Sequence, residues 1–368
     1  MKTALITLEY PPWHGGISHY YGQLVEHYPE KIIVLSNKDN QLVKGTGPVI
    51  SWLPSLKRVI RLIKKEKVNY ILVGHILPLG TVAWLLSYWL DFRYTVFLHG
   101  YDLNCALARP RKKWLAQKIL NKADRIICAN RYTADLVKPI IDQKQLGKIM
   151  AVNPGVGERP AVNVSAVKDL KNKYNLNNKT ILFSLGRLIK RKGFDNAIAA
   201  LPQALAEAPE IIYLIAGAGS DEDYLKQQAK QLESTCRGIE NKVIFLGDIS
   251  EEDKWLWLDA CDIFILPARQ IGYDFEGFGI VYLEANLANK PVIAGRSGGV
   301  ADAVKDNLNG LLVDPNNLND ISQAIVKLCH YPGLRQRLGE QGRQRAITEF
   351  NWIKLAKKVY DIVNHTGY

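Results

Sequence analysis

Short apolar runs of β-forming residues, each followed by a helical pattern, recur along the whole chain and leave few folds open to it. The first series lies at 3–8, 32–35, 70–73, 94–98, 125–128 and 149–152, with helical spacing at 54–66, 77–90, 109–122 and 131–141. A second series follows at 180–185, 211–216, 243–246, 263–266 and 291–294, and two more helical stretches close the chain at 332–348 and 352–364. Elements that alternate in this way build parallel sheets covered by helices on both faces. Such sheets take their ligands beyond the carboxyl ends of the strands.

The break between the series falls at 157–168, a polar stretch with Pro160 and no strong periodicity, read here as a linker. A length of 368 residues accommodates two or three domains, each with an ordinary core. Residues 71–90 carry no formal charge and are long enough to span a bilayer. Gly74-His75 and Pro78-Leu79-Gly80 interrupt them, however, which predicts a short strand followed by a helix of about thirteen residues rather than a membrane span. Five cysteines, widely spaced and without a C-x-x-C pair, read as thiols in a reducing compartment. The opening MKTALITLEY turns acidic and soon reaches Pro11-Pro12, unlike a cleavable signal. The expectation is a cytoplasmic protein.

The net charge of +12 is concentrated in one half. Residues 1–157 hold 22 Lys and Arg against 10 Asp and Glu, whereas residues 158–368 hold 26 of each. In the stretch 54–67, Leu56, Val59, Ile60 and Ile63 form an apolar stripe opposed by Lys57, Arg61, Lys64 and Lys65. A second basic cluster, Arg109, Arg111, Lys112 and Lys113, starts another helix. Basic amphipathic helices bind anionic lipid, and the asymmetry favours that reading over a merely solvated face. No recognition motif or set of stacking aromatics accompanies the basic clusters, so nucleic acid is not expected.

The densest chemistry lies in residues 262–290. An apolar run ends at Pro267, a polar loop leads to Glu276, Gly277 and Gly279 bracket Phe278, and a helical pattern begins at Ile280 with Glu284 inside it. A loop opening onto a helix N-terminus offers free N–H groups and a dipole to an anion. After the run at 180–185 come Gly186-Arg187 and then Lys190-Arg191-Lys192-Gly193. A glycine turn with cations ahead of a helix suits a diphosphate, with arginine offering forked bonds and lysine a point charge. Asp221-Glu222-Asp223 spells a D-x-D metal motif, yet its place at a helix start explains the acids as capping. Gly15-Gly16 and His99 follow the first and fourth strands, where bare backbone and a neutral imidazole suit a phosphate and a sugar hydroxyl. Two carboxylates could equally be the acid and nucleophile of a glycosidase, although a hydrolase has no use for the cationic clamp.

Glu276 and Glu284 form an E-x7-E pair, and 186–193 reads G-R-x(4)-K-G. With P-P-x-x-G-G at 11–16, H-G-x-D at 99–102 and Asn153-Pro154-Gly155-Val156, the chain resembles the family 4 retaining glycosyltransferases, among them phosphatidylinositol mannoside mannosyltransferases. The resemblance covers nearly the whole chain and is strongest over 186–315. It implies the GT-B architecture, an α/β fold of two Rossmann-like β/α/β domains facing each other across a deep cleft. An acceptor domain would occupy 1–157 with a C-terminal helix, about 352–368, crossing back to it, and a donor domain would occupy 158–351. The implied reaction moves a hexose from a nucleotide diphosphate sugar to a hydroxyl of a lipid-linked or glycan acceptor. GDP-mannose is favoured over a UDP-sugar through the 268–274 loop, and no metal or other cofactor is implied.

Carried over residue by residue, Glu276, His99, Arg187 and Lys192 would be catalytic. Gly15, Gly16, Gly186, Ile249, Phe278, Gly279, Ile280 and Glu284 would complete the donor site, while Lys190 and Arg191 would face solvent. The exposed basic residues Lys57, Arg61, Lys64, Lys65, Arg111, Lys112 and Lys113 would meet an acceptor at an anionic membrane surface, placing the protein on the cytoplasmic face. One departure is Asn289, where relatives often carry glycine. A nucleotide-sugar epimerase of the same architecture and a non-catalytic sugar-nucleotide or lipid-binding module are the competing readings.

Overall fold

A computed structural model describes residues 1–13, 15–43, 49–236, 238 and 240–364. The chain divides into two units, Met1–Gly155 with Asn351–Tyr368, and Val156–Phe350.

The first unit is built on six parallel strands: β1 (Thr3–Thr7), β2 (Ile33–Ser36), β3 (Tyr70–Val73), β4 (Arg93–Leu98), β5 (Arg125–Cys128) and β6 (Ile149–Ala151). Their order is β2-β1-β3-β4-β5-β6, so the chain moves to one side of β1 and then returns to its other side. Strands β3 and β4 are wholly apolar or nearly so because helices cover both faces. One face packs on the helices Leu53–Glu66, Leu79–Leu86 and Pro110–Lys122 through residues such as Val59, Val82 and Ile119. On the other face, Leu5, Leu72, Phe97 and Ile127 meet Tyr20, Tyr21 and Leu24 of the helix Gly16–Glu26. Trp352, Leu355, Val359 and Val363 of the final helix, Trp352–Asn364, complete that face.

The second unit repeats the plan with β7 (Thr180–Leu185), β8 (Ile211–Ala216), β9 (Val243–Gly247), β10 (Ile263–Leu266), β11 (Val292–Gly295) and β12 (Gly310–Val313). The order is β12-β11-β10-β7-β8-β9, again all parallel.

Two elements depart from the reading of the sequence. The presumed linker contains a helix, Val164–Lys173, whose N-cap Asn163 accepts from the Ser165 N–H. Val167, Leu170 and Tyr174, spaced three and four apart, pack its one apolar edge on the core, a stripe too narrow to register as periodicity. The helix after β3 covers only Leu79–Leu86, and residues 87–90 continue as turns in which Ser87 donates to the Trp84 carbonyl. Residues 71–90 are thus a βα unit, and among the described residues no helix is long and apolar enough to cross a membrane. Asn289 adopts a left-handed φ of 58°, a conformation asparagine tolerates.

The final helix is part of the first unit's core rather than an appendage. Trp352 is 3% exposed and stands edge-on to Tyr20 at 5.3 Å. Trp352→Ala should cost about 3–5 kcal/mol. Hydrogen exchange at the β1 amides should accelerate accordingly, and unchanged protection there would mean that the helix is dispensable to the sheet.

Candidate active site

In the second sheet β7 and β10 are neighbours because the chain goes to β8 and β9 on one side before it returns to β10 on the other. Loops leaving two such strands diverge beyond the carboxyl ends and open a crevice. The loops here are 186–193 and 267–279. Beneath them the Ser184 hydroxyl donates to the Ile265 carbonyl and meets the Tyr213 hydroxyl at 2.7 Å, joining β8, β7 and β10. Gly193 has a left-handed φ of 79°, and a Cβ there would run into the Pro267 carbonyl. Arg269 donates its backbone N–H to Arg191 at 2.7 Å and grips Asp195 with both guanidinium arms, at 2.8 and 2.6 Å. The two loops are therefore fixed to each other, not merely adjacent.

Glu276 lies where they meet and is 7% exposed. One of its oxygens receives Lys192 Nζ at 2.6 Å and Arg191 Nη1 at 2.7 Å. Burial alone would raise its pKa, but the lysine and the arginine outweigh it and hold the carboxyl below the usual range. Its backbone is fixed as well, since the Gly299 N–H donates to the Glu276 carbonyl at 2.9 Å. Arg191 is a correction to the sequence reading. Its side chain is 11% exposed and turns inward onto Glu276, with Asp274 3.1 Å from its Nε. The cause is local, because a turn of 3-10 helix at Lys190–Lys192 aims 191 and 192 the same way and leaves Lys190 exposed. Arg187 is exposed at the start of the loop.

Glu284 sits in the helix Ile280–Leu287, and its Oε1 is 2.6 Å from Lys254 Nζ. Lys254, only 8% exposed, also meets Glu251 at 2.5 Å. Burial would lower the Lys254 pKa, but Glu284 and Glu251 reverse this and raise it, so it stays charged. The helix start is tight, with Gly279 at φ 82° directly over the Tyr282 ring. Phe278 buries its side chain against Phe350, so its backbone is what it can offer a ligand. Ile249 is half-buried just after β9.

In the first unit the corresponding reversal of strand order lies between β1 and β3. Gly15 and Gly16 are exposed ahead of the helix Gly16–Glu26, and a Cβ on Gly16 would meet nothing within 4 Å. His99 follows β4, and its Nε2 is 2.8 Å from the Tyr21 hydroxyl, which donates to the Gly74 carbonyl at 2.7 Å. Tyr21 has one proton to give, so His99 must donate from Nε2, which leaves Nδ1 as its acceptor. Burial, assisted by His75, lowers the His99 pKa to about 3, so the ring is neutral at physiological pH. Asp102 accepts from the backbone N–H groups of His99 and Gly100, both at 3.0 Å, and fixes the turn. The basic residues Lys57, Arg61, Lys64, Lys65, Arg111, Lys112 and Lys113 are all exposed on their helices.

Asp221, Glu222 and Asp223 begin the helix Glu222–Thr235, as their capping role requires, and Lys226 pairs with Glu222 at 2.7 Å. Sequence reasoning missed Arg191, Lys254 and Tyr21. Lys254 left a signal: a lysine beside Trp255 and Trp257 in a helix facing the core needs a buried partner.

Two doubly wound parallel units, each with a loop cluster at its point of strand reversal, place the chain in the GT-B class of folds. Whole-chain likeness to solved structures agrees. Anabaena HepE in complex with UDP matches with a TM-score of 0.78 and 18% identity, over 98% of this chain and 99% of that one. A glycosyltransferase from Rickettsia africae matches with a TM-score of 0.81 and 19% identity, over 99% and 98%. Residues 167–345 fit the family model described as glycosyl transferases group 1, and residues 27–157 that of glycosyltransferase family 4. The chain belongs to the family 4 glycosyltransferases and is a hexosyltransferase rather than an epimerase. Its relatives include the GDP-mannose-dependent alpha-(1-6)-phosphatidylinositol monomannoside mannosyltransferase of Mycolicibacterium smegmatis, 28% identical over 98% of this chain and 97% of that protein. The monoacylated-substrate counterpart from Corynebacterium glutamicum is 26% identical over 98% and 97%.

The charge cluster has a pH signature. Because the folded-state pKa of Glu276 lies below its unfolded value, the cluster stabilises the fold at neutral pH and loses that contribution as pH falls through the folded value. Below about pH 4.3 the wild-type urea midpoint should therefore fall more steeply than that of Glu276→Gln, although the variant is less stable at pH 7. Parallel acid profiles would show that the carboxylate's pairing contributes nothing.

Proposed function

We propose that the protein transfers a hexose, with retention at the anomeric carbon, from a nucleotide diphosphate sugar to a hydroxyl of a lipid-linked or glycan acceptor. The observation that carries this reading is the Glu276–Lys192–Arg191 cluster at the strand reversal of the second unit. A diphosphate arriving there meets two cations already held together by a carboxylate, with Arg187 at the loop's opening. Lys192, Arg191 and Arg187 then stabilise the charge that develops on the leaving β-phosphate, a preorganised electrostatic role. Relieved of part of its pairing, Glu276 accepts hydrogen bonds from donor-sugar hydroxyls. The cations of the chain carry the leaving group's charge in this reading, so no metal is assigned to it.

Glu284 accepts the ribose hydroxyls, with Lys254 fixing its orientation, and the N–H groups around Phe278, Gly279 and Ile280 face the donor. Ile249 and its backbone lie by the base. Gly15 and Gly16 leave room for the diphosphate, and the neutral His99 accepts from a sugar hydroxyl through Nδ1. GDP-mannose is the favoured donor, because two relatives that match end to end are named as GDP-mannose-dependent phosphatidylinositol monomannoside mannosyltransferases. A UDP-sugar is second, as the HepE structures hold UDP and UDP-glucose. The exposed basic faces of the first unit suit an acceptor presented at an anionic lipid surface, which would make the protein peripheral to the membrane.

Incubation with a panel of nucleotide sugars and a membrane extract should release GDP and give a product heavier by one hexose. Glu276→Ala should lower turnover by about a hundredfold or more. Turnover equal to wild type would remove Glu276 from the site. Lys254→Met should raise the donor KM about tenfold with kcat little changed, since it removes a charge-assisted bond that positions a binding group. A kcat effect with unaltered KM would refute that role for Lys254.

A further inference from the structure

At the amino ends of β4, β5 and β6, away from His99 and Gly16, the first unit holds two adjoining cavities. One, of 560 Å³, is lined by Arg93, Lys122, Arg125, Lys144 and Lys148, with Asp124 as the acid in its lining. The other, of 620 Å³, is lined by Arg125, Lys354, Lys357 and Lys358, with Asp361. Arg125 at the start of β5 lines both, so the two adjoin at its side chain as a basin lined by eight Lys and Arg against Asp124 and Asp361.

Its floor is fixed. Lys148 is 7% exposed, and its Nζ donates to the Asn121 and Ala123 carbonyls at 2.8 and 2.9 Å, closing the carboxyl end of the helix Pro110–Lys122. Asp124 accepts from Tyr70 at 2.7 Å and lies 3.7 Å from Arg93, so it offsets one of the basin's own cations and leaves the rest. Beside the basin stands a row of aromatic rings. Trp84 packs edge-on against Tyr88 at 5.8 Å and Trp114 at 6.5 Å. Lys122 and Lys118 stand over Tyr88 and Trp114 at 5.4 and 5.8 Å. Tyr88, Trp89 and Trp114 are 59, 74 and 55% exposed.

We propose that this basin seats the phosphates of anionic phospholipid headgroups, with Tyr88, Trp89 and Trp114 entering the interface beside it. A soluble anion would use the cations but give the exposed rings no partner. A bilayer surface takes both, because indole and phenol rings settle at headgroup depth while lysine and arginine meet lipid phosphate. The site is distinct from the basic face of the helix Leu53–Glu66, and it does not depend on which sugar is transferred.

Flotation of the full-length protein with vesicles tests it, using phosphatidylcholine alone or mixed with phosphatidylglycerol. Wild type should float with the mixed vesicles and not with phosphatidylcholine alone. The exposed-residue variant K122Q/K144Q/K358Q should lose partition on the order of a hundredfold. It should lose far more than K57Q/R61Q/K64Q, which removes equal charge from the basic helix. Trp89→Ser should lower partition several-fold. Equal losses in the two triple variants would overturn the basin as a site and leave only unspecific charge. So would a basin variant that floats like wild type, or glycerol phosphate binding to the basin without vesicle binding. Binding of GDP and of UDP without vesicles, followed by calorimetry, is measured alongside. Its retention in the basin variant shows that a loss of flotation is not a damaged donor site, and its absence in wild type would overturn the donor-site reading while leaving the docking result intact.

Discussion

A carboxylate buried among strand ends is unfavourable unless cations reach it, and in the second unit two do. Glu276 is held by Lys192 and Arg191 at 2.6 and 2.7 Å, and removal of either partner would leave charge stranded out of water. The local backbone follows from that requirement. The loop after β7 must curl to bring consecutive cations to one point, hence the 3-10 turn and the left-handed Gly193. The loop after β10 must lie against it, hence the Arg269–Asp195 fork and the close approach of Gly193 to Pro267. The adjacency of β7 and β10 makes all of this possible.

The alternating pattern in the sequence was enough to read two parallel sheets, because strands buried on both faces are apolar throughout and leave little ambiguity. The same logic pointed to Glu276, Glu284, Lys192 and His99 as candidates, because they follow strands or begin helices where ligands are usually met. What escaped notice depends on pairing across long separations. Nothing in Lys190-Arg191-Lys192 says which cations turn inward, since the answer lies 84 and 85 residues further on at Glu276. Lys254 and Glu284 are likewise 30 residues apart. The helix Val164–Lys173 escaped because it exposes most of its surface and buries no residue completely.

The two units solve similar problems with different chemistry. In the second, the strand reversal is charged and held by ion pairs. In the first it is a relay of hydrogen bonds between neutral groups: the buried His99 donates to the Tyr21 hydroxyl, which donates to the Gly74 carbonyl. The first unit's positive charge lies elsewhere, on helix surfaces and at the amino ends of β4 to β6. A neutral imidazole suits an uncharged hydroxyl, whereas the cationic cluster suits phosphate.

The first unit is discontinuous in the chain, and this bears on how the protein is made. Its six strands lie within the first 155 residues, but one face of that sheet is closed by Trp352, Leu355, Val359 and Val363. On the ribosome, Leu5, Leu72 and Phe97 therefore wait beside an incomplete apolar face until the entire second unit has emerged. Residues 352–363 seal a core begun at residue 5, so a chain that stops short of residue 352 lacks a finished sheet to hold His99.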